Sequence, residues 1–131
     1  IPLTEADLEK SVDRKAIAAT MTWLLGARDL ARERGIEFVV TLAPVGTVDP
    51  SYVEFWAPWP KYMSYPKQRA LMHRILRKEL EAQGIKVVDL EDDFKGVPNT
   101  YRVSDGHWTE LGTEIAAKRL AAALGKMREA R

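Results

Sequence analysis

The chain has no cysteine. That excludes disulfides, thiolate nucleophiles and cysteine-based zinc sites, but it does not fix the compartment, because proteins of oxidising compartments can also lack cysteine. Histidine is nearly absent too, with only His73 and His107. No excess of one charge exists: 20 basic residues face 19 acidic ones, so no global field favours nucleic acid. No apolar run approaches the roughly 18 residues of a membrane helix. Ile1-Pro2-Leu3-Thr4-Glu5 has neither an initiator Met nor a signal-peptide core, and the expectation is a processed or excised segment.

What is present describes an ordinary folded chain. At 131 residues, 46% hydrophobic and 30% charged, it suits a single α/β domain or segment with a solvated surface. Thr4 and Asp7 read as an N-cap with an acidic partner. Leu8, Val12, Ala16, Ala19, Trp23, Ala27 and Leu30, widened by Leu24 and Ala31, then predict one amphipathic helix closing at Gly35. Residues 36–43 form an apolar run suited to an interior parallel strand. Residues 47–65 read as a long loop rich in proline and aromatics, with room for a short helix near Ser51–Trp56. Pro66 suits the first position of a second helix over 66–84, whose stripe is Leu71, Met72, Ile75, Leu76 and Leu80. Residues 85–90 are the second strand, and Thr109 caps a helix over 109–124 with Ile115, Ala116, Leu120 and Leu124 inward. Thr100–Val103 is a weaker strand candidate. The alternation predicts a three-layer fold with a parallel sheet, flavodoxin-like in outline. Two strands are few for three helices, so the domain is expected to be partial or much reduced.

The chemistry concentrates in Tyr101-Arg102-Val103-Ser104-Asp105-Gly106-His107-Trp108-Thr109, between the second strand and the last helix. In an extended backbone, Asp105 and His107 leave the same face. The carboxylate then accepts a hydrogen bond from one imidazole nitrogen, and the other faces a nucleophile, as in a Ser-His-Asp centre. A plain structural role, Asp105 as a turn or cap residue and His107 as a half-buried polar group, fits the spacing equally well.

The wider context resembles the SGNH-hydrolase-like domain of the alginate O-acetylation acetyltransferases. The shared pattern is Arg34-Gly35-Ile36, the strand ending in Pro44, Tyr52, the run Gly84 to Leu90, Tyr101, and Asp105-x-His107-Trp108-Thr109-x-x-Gly112. The resemblance implies a periplasmic or extracytoplasmic O-acetyltransferase or esterase acting on cell-surface or exopolysaccharide, without metal or organic cofactor. It also implies Asp105 and His107 as the catalytic pair, with the serine later in the chain, beyond Arg131. Polysaccharide or an acetylated small molecule would be the substrate, and other proteins of an acetylation system its partners. Ser11, Ser51, Ser64 and Ser104 are expected to be structural, since none stands in a Gly-Asp-Ser or Gly-x-Ser setting. Where that family carries a basic residue after the strand-ending proline, this chain has Val45-Gly46-Thr47.

Tyr52, Trp56, Trp59 and Trp108 are candidate substrate contacts, because aromatic faces suit pyranose rings; packing under the loop would explain the two loop tryptophans as well, and Trp108 is expected to be buried, buttressing His107. His73, among Arg69, Arg74, Arg77 and Lys78, reads as part of a solvated helix face rather than an anion site. Asp89 with Asp105 and His107 makes a poor metal set, having one histidine. Asp92 and Asp93 read as connector residues. The alternative from another class is a catalytically inactive polysaccharide- or protein-binding α/β module. A phosphate-binding flavodoxin-like domain is disfavoured, since no glycine-rich loop follows either strand.

Overall fold

The computed structural model describes residues 4–130. The region expected to be one long helix is two. Helix α1 spans Glu5–Lys10 and α2 spans Arg14–Glu33. Capping explains the break: Thr4 and Asp7 form a reciprocal box at the start of α1, and Asp13 accepts the Ala16 N–H at the start of α2. Each cap satisfies donors that a continuous helix would have to bond otherwise. Residues 1–3, which belonged to the expected helix, lie outside the described residues.

Two strands, β1 (Val39–Leu42) and β2 (Lys86–Asp89), pair in parallel with Val40 opposite Val87 and Thr41 opposite Val88. Alternation sorts their side chains into two cores. Val40, Leu42 and Val87 face α2 and the long helix over residues 60–82, where Ile17, Met21, Leu80 and Ile85 are buried. Val39 and Val88 face the other way, toward Tyr52, Phe94, Tyr101, Ala116 and Ala123. The molecule is thus a small parallel sheet with helices on both faces, as the sequence predicted.

Helix α2 turns inward a face that shares only its Leu24 edge with the one expected. Ile17 and Met21 are buried with Leu24 and Leu25 packed beside them, while Trp23 is 81% exposed and Leu30 is 52% exposed. The two apolar stripes are offset by one residue, about 100° around the helix, and periodicity alone ranks them equally. The last helix is similar. α6 (Glu110–Glu129) buries Gly112, Ala116 and Ala123, but Leu124, expected inward, is half exposed.

The aromatic-rich stretch is mostly helical. Helix α3 covers Pro50–Trp56, and α4 begins at Pro60 and runs to Ala82. Pro66, expected at the start of a helix, sits inside α4 and is buried. Both prolines fit a first-turn position, and the chain uses Pro60 there. A short helix α5, Glu91–Phe94, replaces the expected connector and includes Asp92 and Asp93. Residues 100–103 form no strand; Tyr101 makes a single antiparallel bridge to Trp108.

Candidate active site

The site rests on a buried carboxylate. Asp49 caps α3, and Pro50 follows at the first helical position. Its Oδ1 accepts the N–H groups of Ser51 (2.8 Å), Tyr52 (3.4 Å) and Asn99 (3.1 Å). Its Oδ2 accepts those of Thr100 (2.9 Å) and Tyr101 (3.0 Å). Asp49 and Thr100 are both fully buried. One side chain therefore joins the loop after β1 to the segment that enters the Asp105–His107 hairpin, across fifty residues of sequence.

That hairpin closes tightly. Arg102 N–H donates to His107 C=O at 2.7 Å, and Gly106 N–H donates to Arg102 C=O at 2.9 Å. Gly106 has φ +72°, a left-handed conformation costly for a side chain with Cβ. Beyond it, Thr109 N–H bonds Thr100 C=O, and the Thr109 hydroxyl donates to Asn99 C=O at 2.7 Å. Gly112 completes the clasp: a Cβ there would stand 2.4 Å from the Thr100 carbonyl oxygen. Trp108 packs on buried Phe94, with ring centroids 5.2 Å apart.

Asp105 and His107 meet through this turn rather than through the extended backbone expected. Asp105 Oδ1 accepts the His107 backbone N–H at 3.0 Å and lies 3.3 Å from His107 Nδ1. The His107 backbone N–H, with the imidazole and Arg102 adding to it, holds the Asp105 carboxyl below the usual carboxylate range. The His107 side chain is 81% exposed, so Nε2 is open to a reactant. No serine hydroxyl is bonded to it among the described residues. Ser11 and Ser64 donate instead to the carbonyls of Leu8 and Lys61.

The expected substrate contacts divide by burial. Tyr52 is only 4% exposed, which closes its ring faces. Trp108 is half-buried and Trp56 likewise, with Trp56 Nε1–H donating to Val103 C=O at 2.9 Å. Trp59 is 53% exposed. Tyr62 stacks on Trp56 at 3.9 Å, and its hydroxyl is 2.6 Å from that of Tyr52. An ideal Cβ at Gly106 would be 4.0 Å from the Tyr52 hydroxyl. The aromatic cluster thus adjoins the Asp105–His107 turn.

A second histidine–carboxylate pair departs from expectation. The His73 side chain is 8% exposed, not solvated: Nε2 lies 2.9 Å from Asp89 Oδ1, and Nδ1 lies 3.2 Å from Ala43 C=O. Arg77, one helical turn on, donates to Asp89 Oδ2 at 3.0 Å, and Glu91 N–H donates to Oδ1 at 2.9 Å. Burial pushes the Asp89 carboxyl up, but the Glu91 N–H, His73 and Arg77 outweigh it and hold the carboxyl down. Asp89 therefore pairs with His73 and not with Asp105 or His107. His73, Asp89 and Glu91 offer ligand atoms within 4.8 Å of one another. A cation there would compete with Arg77 for Asp89 and displace the His73 hydrogen bond. The composition is that of a catalytic dyad, but both His73 nitrogens already face acceptors, leaving none to take a proton from a nucleophile. The i, i+4 spacing of His73 and Arg77 was the one sequence signal for this network.

Comparison with known proteins accords with the geometry. A family model described as SGNH hydrolase-like domain, acetyltransferase AlgX, matches residues 3–130. The chain belongs to this family. No curated protein and no solved structure matches it. Membership in the SGNH hydrolase-like family agrees with the helix-flanked parallel sheet, and it ties the domain to polysaccharide-modifying systems. Among the described residues no helix is long and apolar enough to cross a membrane.

Proposed function

We propose that Asp105 and His107 are the proton-handling half of a serine-type acyl-transfer centre that acetylates, or deacetylates, a carbohydrate hydroxyl outside the cytoplasm. One observation carries the reading: in a family of SGNH-type acetyltransferases, an imidazole is held against a carboxylate at Nδ1 and left open at Nε2. Asp105 would fix the tautomer with the proton on Nδ1 and stabilise the imidazolium. A serine hydroxyl attacks the acetyl carbonyl of the donor as His107 Nε2 takes its proton. His107 then gives that proton to the leaving group, and an acetyl-serine remains. A sugar hydroxyl, or water, attacks next; its proton passes to His107 and returns to the serine oxygen.

The serine in this scheme is none of Ser11, Ser51, Ser64 and Ser104. A fluorophosphonate probe followed by intact-mass measurement tests that. The expected result is no adduct on this polypeptide. An adduct on wild type that His107→Ala removes would place the nucleophile among those four. The second reading, an inactive polysaccharide- or protein-binding module, draws on the absence of a serine at His107 among the described residues.

A further inference from the structure

The hydroxyl pair of Tyr52 and Tyr62 has a direction. Two tyrosine hydroxyls 2.6 Å apart share one proton between their oxygens, so one donates and the other keeps its own proton for a third group. Tyr52 is 4% exposed, and its hydroxyl has no other partner among the described residues. A buried hydroxyl whose proton is unbonded costs free energy, so Tyr52 donates and Tyr62 accepts. Burial first and the bond to Tyr62 second push the Tyr52 hydroxyl above its ordinary value. Tyr62 is 40% exposed, and its own O–H is thereby left for a group outside the pair. Donating while accepting strengthens the outer bond.

Around that donor lies an aromatic ledge. Tyr62 has one face on Trp56, and Trp59 meets Trp56 edge-on at 5.7 Å and remains 53% exposed. Trp56 also bonds Val103 C=O, two residues from Asp105, which ties the ledge to the turn.

We infer that Tyr62 and Trp59 form a pyranose subsite, with the ring stacked on Trp59 and one hydroxyl bonded by the Tyr62 O–H that Tyr52 orients. A sugar ring matches both features, since its axial C–H face is apolar and its rim carries hydroxyls. An apolar peptide would leave the directed Tyr62 donor unpaired. This inference rests on the acyl-transfer reading for its purpose, but the binding it describes can be measured without catalysis. Tyr62 is here a positioning residue, and Tyr52 acts through it.

The test is titration of the protein with pyranose hexasaccharides, one neutral and one built of uronates, followed by tryptophan fluorescence and by the amide signals of Gly106 and His107. Trp59→Ala is expected to weaken binding about tenfold, and Tyr62→Phe, which keeps the ring on Trp56, roughly three- to tenfold. Tyr52→Phe should weaken it less than Tyr62→Phe, because the donor is kept but no longer oriented. Absence of binding by the wild-type protein, or equal affinity of wild type and Tyr62→Phe, overturns the subsite. Loss of acetyl transfer in His107→Ala together with unaltered binding by Tyr62→Phe and Trp59→Ala would sink the subsite alone. Unaltered transfer in His107→Ala together with weakened binding in those two variants would sink only the catalytic reading.

Discussion

The Asp49 carboxylate receives the Thr100 N–H at 2.9 Å from a position without solvent access. With four further N–H groups on the same carboxylate, it fixes where the Asp105–His107 hairpin starts relative to the end of β1. Asp49→Ala would strand several buried donors, each worth about 1–3 kcal/mol. The expected outcome is a loss on the order of 3 kcal/mol or more in urea unfolding. Asp49→Asn should also destabilise, since its NH₂ would face the N–H groups that Oδ1 or Oδ2 now accepts. Equal urea midpoints for wild type and both variants would contradict this role.

The Asp89 network makes stability depend on acid. Its carboxyl is held down in the folded state, so the stability it contributes is present above the unfolded carboxylate value of about 3.8 and is lost as pH falls through the lower folded value. Urea midpoints should therefore fall from pH 5 to pH 2, and fall less steeply in Asp89→Asn. His73→Ala should cost about 2 kcal/mol at pH 7, because Asp89 loses a partner while buried. Parallel acid slopes in wild type and Asp89→Asn would be inconsistent with the network.

At the alkaline end the sign reverses. Burial pushes the Tyr101 hydroxyl up to about 12, from an ordinary 10.0, with the nearby Asp49 adding to the rise. The hydroxyl donates to the Pro44 carbonyl, two residues beyond β1. A raised folded value means the stabilisation is complete below pH 10 and lost as pH climbs toward 12. Tyr101→Phe should be less stable at pH 7 and show a shallower alkaline loss, followed by circular dichroism. An unchanged alkaline profile would remove Tyr101 from the account.

The sequence made part of this legible. Both strands, the Thr109 cap and the Asp105–His107 pair were readable because each rests on local spacing or capping chemistry. The inward face of α2 was not, since two adjacent apolar stripes compete and only the sheet decides between them. Asp49-Pro50 carries the signature of a helix start, an N-cap followed by proline, but its bonds to Asn99, Thr100 and Tyr101 are long-range and leave no trace in spacing. His73 was hidden for the same reason, its partners being Asp89 on β2 and the Ala43 carbonyl beyond β1. The Tyr52–Tyr62 pair depends on α3 and α4 folding back on each other, which a proline-rich stretch does not announce.

The central claim is that His107, held by Asp105, carries the proton in acyl transfer. Its most direct test is acetyl transfer to polysaccharide by the natural protein that carries this domain, comparing wild type with His107→Ala and Asp105→Asn. Both side chains are solvent-accessible, so folding should be preserved, as circular dichroism would show. The account predicts a fall in kcat of about 10²- to 10⁴-fold for His107→Ala, with a clear loss for Asp105→Asn as well. Transfer by a folded His107→Ala variant at the wild-type rate would contradict it.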